Sequence, residues 1–185
     1  YGDTIEQSAT RILVADKLRS PVAGAVHGAV AVFDLQPDES WLHTGTIDPP
    51  DLIGYGEFGF SVALSGSRVA VGDLTYPDDV YDGRAYVYVE SAPGTWTLEQ
   101  TIDPELYSDY RQFGASMDFE GDVLAIGGLY LRPEAGATES GSVYIYELDP
   151  IDGWVVQDHL VHVDPDYNEW FGRSLELEGD RLLVG

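Results

Sequence analysis

An all-β fold is predicted by three features of this 185-residue chain. A motif recurs four times at near-constant spacing, its strands are apolar on both faces, and no stretch shows helical periodicity of useful length. Four-stranded units of about 40–55 residues that are apolar on both sides must stack face to face, which is the arrangement of propeller blades. The expected architecture is a β-propeller fragment of four-stranded antiparallel blades, about three blades plus half of a fourth. A β-sandwich would show alternating polar outer faces instead.

Each repeat opens on an aromatic–glycine pair. Phe58-Gly59 returns as Phe113-Gly114 and Phe171-Gly172, with Tyr1-Gly2 as a softened copy, so the starts lie 57, 55 and 58 residues apart. A hydroxyl follows at Thr4, Ser61, Ser116 and Ser174, then an aliphatic or thioether side chain at Ile5, Val62, Met117 and Leu175. These residues begin the first strand. The turn after it reads Ser-Gly-Ser at 65–67 and Glu-Gly-Asp at 120–122 and 178–180. Glycine suits a two-residue hairpin loop, which requires positive φ. The second strand is expected at 12–15, 68–72 and 123–127, followed by a variable loop that ends at Gly28, Gly83 or Gly141.

The third strand is expected at 29–33, 84–89 and 142–147. Alternation puts Ala85, Val87 and Val89 on one face and Tyr86 and Tyr88 on the other, and Val143 and Ile145 against Tyr144 and Tyr146 repeat the pattern. Both faces are therefore expected to be covered. The fourth strand starts at Trp41, Trp96 or Trp154 and runs to Asp-Pro at 48–49, 103–104 and 164–165, where proline removes a ladder donor. The units are thus 1–57, 58–112, 113–170 and the half-unit 171–185. Phe58, Phe113, Phe171 and the three blade tryptophans are expected in the blade-to-blade core.

Charge narrows the function. Asp and Glu number 33 against 9 Lys and Arg, a net charge of −24, with Lys17 the single lysine. Sequence-independent nucleic-acid binding needs a basic stripe that displaces counterions, so no nucleic-acid partner is expected. Anionic membrane surfaces would repel the chain for the same reason. The excess reads as a solvated, self-repelling surface, with adaptation to a salty or calcium-rich medium as a second reading. There is no cysteine, which excludes a disulfide scaffold and Cys-ligated zinc. No apolar run approaches the roughly 20 residues that span a bilayer, so no membrane insertion is expected of this segment. Its opening, YGDTIEQSAT, does not read as a secretory signal.

The residues Phe58, Gly59, Ser61, Val62, Ala63, Leu64, Gly66, Val69, Ala70, Val71 and Gly72, continued by Gly83, Tyr86, Val87, Tyr88 and Trp96, resemble the FG-GAP repeat in order. That repeat is the blade unit of the integrin alpha-subunit propeller, and the match is most similar to its bacterial, calcium-free variety. The resemblance implies a seven-bladed closure with the remaining blades as partners, an extracellular or cell-surface setting and a role in adhesion or ligand binding. Two departures stand out. The Gly-Ala-Pro element of the family appears as Ala15-Asp16-Lys17, Gly72-Asp73-Leu74 and Gly127-Gly128-Leu129, and the D-x-D-x-D-G calcium loop of the integrin blades is missing. The short first turns cannot supply the six to eight oxygens that calcium takes. No metal and no cofactor are therefore expected.

Catalysis finds little support. No G-x-S-x-G nucleophile elbow occurs and no cysteine nucleophile is available. His159 and His162 read as exposed histidines on opposite sides of a strand, and His27 and His43 stand apart from any identifiable partner. The loop 73–83 carries Asp73, Asp78, Asp79 and Asp82 before Gly83, but the spacing is not that of a calcium loop. Ligand recognition is the better use of the loops, because strands scaffold and loops bind. The second-to-third and fourth-to-first loops are expected on one rim. There Tyr76, Asp78, Asp79, Tyr81, Tyr107 and Tyr110 flank one blade junction and form the candidate ligand-binding set, with Tyr130, Tyr167 and Trp170 further along. Tyrosine offers large contact area at low entropic cost. The expected function is non-enzymatic: adhesion or binding of a protein or saccharide through an acidic, Tyr-rich rim. The alternative is a scaffold or saccharide-binding module of a larger secreted enzyme.

Overall fold

The structure is a computed structural model that describes residues 4–19, 27–50, 56–74, 83–103, 112–130, 140–164 and 169–185. The first sheet consists of β1 (Thr4–Gln7), β2 (Arg11–Asp16), β3 (Ala29–Leu35) and β4 (Trp41–Ile47). The second holds β5 (Val62–Ser65), β6 (Arg68–Asp73), β7 (Arg84–Ala92) and β8 (Thr95–Ile102). The third holds β9 (Phe113–Glu120), β10 (Val123–Gly128), β11 (Ser142–Asp149) and β12 (Gly153–Val161). A hairpin of β13 (Leu175–Glu178) and β14 (Arg181–Val184) ends the chain. Each complete sheet is an antiparallel meander in chain order, the topology of a propeller blade, and the described residues contain no helix.

The turn chemistry acts as expected. Ser65 pairs with Arg68, Glu120 with Val123 and Glu178 with Arg181, so each loop has two residues. Gly66, Gly121 and Gly179 open these loops with φ of 56°, 60° and 62°. In the first blade Gln7 pairs with Ile12, and the loop is longer. A β-bulge recurs between the third and fourth strands. Register shifts at Val32/Phe33, Val87/Tyr88 and Ile145/Tyr146 leave Thr44, Glu99 and Gln157 as the extra residues. A bulge re-aims a side chain. Thr44 Oγ1 donates to Asp34 Oδ2 at 2.6 Å, and Glu99 accepts both from Arg68 of its own blade and from Trp154 Nε1 of the next.

Both faces of the middle blade are buried, each in a different core. Val62, Val69, Val71, Tyr86 and Tyr88 pack with Leu13, Ala15, Val30, Val32 and Ile47 of the first blade around Phe58. Ala63, Ala70, Ala85, Val87 and Ile102 pack with Leu124, Ile126, Tyr144, Tyr146 and Trp154 of the third around Phe113. Phe58 and Phe113 are fully buried, and each meets two tyrosine rings, at 5.7 and 6.1 Å for Phe58 and 6.0 and 6.5 Å for Phe113. Complete burial of one such side chain is worth about 1.5–3 kcal/mol. Both of these junctions set an aliphatic face of one blade against a face that carries two tyrosines on the next.

Two expectations about the core need correction. Trp41 is 43 % exposed and Phe171 is only half-buried. Trp96 and Trp154 each lie against the preceding blade, and no described blade precedes Trp41. Phe171 belongs to a two-stranded hairpin that lacks the third strand whose tyrosines enclose Phe58 and Phe113. The free face of the first blade is also hollow. Ala31 stands where Tyr86 stands one repeat later, and a cavity of about 450 Å³ opens there between Phe33, His43 and Thr46. The fourth strand of the third blade ends at Val161, short of the Asp164-Pro165 stop.

Candidate functional site

The rim is assembled by close backbone contact between loop ends. Gly28 bridges Phe58, and Gly83 bridges Phe113. At the third junction the Phe171 N–H donates to the Ser140 carbonyl at 2.8 Å. The second-to-third loop of one blade thus meets the fourth-to-first loop that leads into the next. Glycine is required at these points for two reasons. Gly28, Gly83 and Gly141 have φ of 75°, 71° and 87°, and a Cβ on them would lie 1.9, 2.2 and 2.3 Å from the phenylalanine carbonyl oxygen.

The motif hydroxyl locks the same region. Ser61 Oγ donates to the Gly114 carbonyl of the next blade at 2.6 Å, and Ser116 Oγ does the same to Gly172. Thr4 Oγ1 donates instead to the Phe60 carbonyl at 2.8 Å, one residue further on. The physical reason lies opposite. A Cβ at Gly72 or Gly127 would fall 2.2 or 2.3 Å from the accepting carbonyl, whereas the first blade has Ala15 at that position, and its Cβ lies 3.0 Å from where a Cβ on Gly59 would stand. The residues that follow Gly59, Gly114 and Gly172 are Phe60, Ala115 and Arg173, the same motif position in three consecutive repeats.

They line a cavity of about 320 Å³, together with Leu129, Tyr130 and Trp170. Leu129 and Tyr130 leave the end of β10, and Trp170 precedes Phe171. The Trp170 and Tyr130 rings meet edge to face at 6.4 Å, and the Arg173 guanidinium lies 5.4 Å from the centre of the Trp170 ring. The Lys17 ammonium sits 4.8 Å from the centre of the Phe60 ring. Trp170 holds φ at 58°, a left-handed conformation that costs a bulky residue about 1–3 kcal/mol. Its indole N–H is shielded from solvent and has no partner among the described residues. A small concave site with aromatic walls and a few convergent polar groups is the usual form of a ligand pocket.

The six rim residues read from the sequence, Tyr76, Asp78, Asp79, Tyr81, Tyr107 and Tyr110, lie outside the described residues. So do Tyr167 and Asp82, while Tyr130 and Trp170 of the wider rim set are brought together in the pocket. Sequence reasoning missed Phe60 and Arg173. Their signal is the variable position of the motif, where Phe60, Ala115 and Arg173 share nothing except their place. Asp73 is buried, and its Oδ1 accepts the Glu57 N–H at 2.8 Å, which is a structural role within the rim.

The histidines also differ from expectation in detail. His159 is half-buried and stacks on Tyr144 at 4.1 Å, and burial pushes its pKa below the ordinary imidazole value. His162 lies beyond the end of β12, with Nδ1 3.0 Å from Glu169. His27 is buried.

Among the described residues no helix is long and apolar enough to cross a membrane. No curated protein matches the chain. Residues 41–88 match a family described as FG-GAP repeat. The match begins at Trp41 in the last strand of one sheet and ends at Tyr88 in the third strand of the next, so the sequence unit straddles a junction and includes the loop-end contact at Phe58. Repeat blades of this kind associate with other blades of a propeller. Residues 41–88 thus carry an FG-GAP repeat, and the four-stranded sheets have the form of β-propeller blades.

Proposed function

We propose that the chain is a non-enzymatic binding module of an extracellular or cell-surface protein, which holds a protein or saccharide ligand against its loop rim. The observation that supports this most directly is the aromatic cavity formed by Phe60, Tyr130 and Trp170 where three blades present the same motif position. The rim is a place where backbone is held rigidly by glycine contacts while side chains are free to vary, the arrangement in which loops carry recognition. Adhesion is the setting that the integrin-type resemblance implies. Nucleic acid is not a partner under this reading, because a chain of net charge −24 offers no basic stripe.

The aromatic walls also suit a saccharide-binding module of a larger secreted enzyme. A catalytic domain encoded in the same gene would favour that setting over adhesion.

The test is a binding screen of the full chain against arrays of glycans and of extracellular proteins, followed by a hydrogen-exchange footprint with each ligand found. Protection is expected at 28, 58, 83, 113, 129–130 and 170–173, on the loop rim. A footprint confined to the opposite end, at the turns of Gly66, Gly121 and Gly179, or no ligand on either array, overturns the proposal.

A further inference from the structure

We infer that the cavity between Phe60, Tyr130, Trp170 and Arg173 is a subsite for a sugar ring bearing a single carboxylate, such as one hexuronate unit of an oligosaccharide. This inference rests on the binding-module reading and names its ligand class.

The first argument is positional. The scaffold does not require the residues that line this cavity. Trp170 occupies the repeat position held by Glu57 and Gln112 at the other two junctions, and Tyr130 occupies that of Leu18 and Thr75. Arg173 takes the place of Phe60 and Ala115. The positions of Trp170 and Tyr130 hold non-aromatic residues in the other repeats, so this pair of rings is not a requirement of the repeat. Of the three residues at the Trp170 position, Gln112 and Trp170 have positive φ, at 48° and 58°, and a tryptophan is a costly residue to place there.

The second argument is electrostatic. In a chain with 33 carboxylates, Arg11, Arg19, Arg68 and Arg84 each pair with one or more. Arg173 has no carboxylate partner among the described residues; its guanidinium lies over the Trp170 ring instead. Lys17, the single lysine, also faces a ring of the cavity wall rather than an acid. Arg173 lines the cavity and Lys17 lies against the ring of one lining residue, so the cavity carries a positive charge on an acidic molecule. A guanidinium left over an aromatic face keeps its edge donors for a carboxylate that arrives with the ligand.

The third argument is size and surface. A cavity of about 320 Å³ is at the small end of ligand pockets, enough for one or two sugar rings. The apolar C–H faces of a pyranose pack on aromatic rings while its hydroxyls and carboxylate remain at the edge for Arg173, the indole N–H and water. Densely sulfated chains fit poorly, because beyond the reach of Arg173 and Lys17 the net charge of −24 repels them.

The test titrates the full chain with a di-hexuronate, the matched neutral disaccharide and a sulfated disaccharide, followed by tryptophan fluorescence and by calorimetry. The di-hexuronate is expected to bind at least tenfold more tightly than either comparison. Arg173→Gln should remove that preference, so that the uronate binds no more tightly than the neutral sugar. Arg181→Gln, at the distant hairpin turn, should leave the preference intact and serves as the folded control. Equal affinity for the uronate and the neutral sugar, or a uronate preference that survives Arg173→Gln, overturns the inference. If the arrays yield a ligand with a rim footprint that Arg173→Gln and Tyr130→Ala leave unaffected, the module reading stands and this subsite assignment fails. If no ligand at all is found, the module reading itself fails.

Discussion

The Ser61 hydroxyl donates a 2.6 Å hydrogen bond to the carbonyl of Gly114, a residue 53 positions later and in the next blade. The bond is buried and crosses the junction opposite Gly72, where the two backbones are in close contact. The hydroxyl of the FG-x-S motif is thus a tie between blades, and the glycine that ends the second strand makes room for it.

Removing the tie should destabilise the stack. Ser61→Ala leaves the Gly114 carbonyl buried without its donor, a cost of about 1–3 kcal/mol. Gly72→Ala should cost more, because its Cβ would lie 2.2 Å from the same carbonyl and the junction would have to open. Urea unfolding should show a lower midpoint for both variants, in that order, with little change in slope. An unchanged midpoint for Ser61→Ala would show that the bond contributes nothing.

Glu6 should be a stabilising site for neutralisation. Burial raises its pKa, and Asp118 and Glu176, which hold the same position on two other blades, raise it further; a bond from the Gln7 backbone opposes them. A carboxylate whose folded pKa exceeds its unfolded value contributes stability below the unfolded value and loses it as pH rises through the folded one. At pH 7 its charge is therefore unfavourable. Glu6→Gln should raise the melting temperature at pH 7, by less than about 1 kcal/mol for a half-exposed group, and the gain should vanish at about pH 3. A loss of stability at pH 7 would contradict the sign.

Arg11 should show the opposite dependence. It pairs with Asp34 at 2.7 Å and with Glu90 of the next blade at 2.8 Å, and it covers the Trp96 ring at 5.1 Å. The Arg11 hydrogen bond lowers the pKa of Asp34, with Thr44 adding to the effect against a burial penalty. Stability from this pair is present above the unfolded carboxylate value, about 3.9, and is lost as pH falls through the lower folded value. Arg11→Met should cost on the order of 1 kcal/mol at pH 7 and much less at pH 2. Thermal melts at the two pH values decide it.

Calcium should have no specific effect through the first hairpins. Their loops are the two-residue steps 66–67, 121–122 and 179–180, which offer few oxygens to an ion that takes six to eight. A site at one hundred times its Kd would add about 2.7 kcal/mol. Melting in millimolar calcium should match melting in sodium of equal ionic strength. A calcium-specific rise abolished by Asp122→Ala or Asp180→Ala would refute this.

Much of the fold was legible because the repeat and the two-residue strand period report directly on burial. Tyr86 and Tyr88 could be assigned to one core and Ala85 and Val87 to the other from alternation alone, and the structure separates them in that way. The bulges at Thr44, Glu99 and Gln157 left no mark, because a one-residue slip in an outer strand changes no composition. Burial of Trp41 and Phe171 was overread, since the pattern shows which face a side chain takes and not whether a neighbour is there. The candidate site was less legible for a related reason. Loop composition singled out Tyr130 and Trp170, but Phe60, Ala115 and Arg173 come from three separate repeats and meet only when the blades are stacked.

The pairing of a slender face with a bulky one at each junction gives every blade a front and a back. The stack accordingly has a direction, like tiles laid with one overlap. A blade turned around would oppose two sets of aromatic rings on one side and leave a void on the other. A blade added or removed in the correct orientation would instead recreate the same kind of joint on both sides. The architecture is thus suited to lengthening and shortening by whole repeats, with each new member free to carry its own residues at the rim.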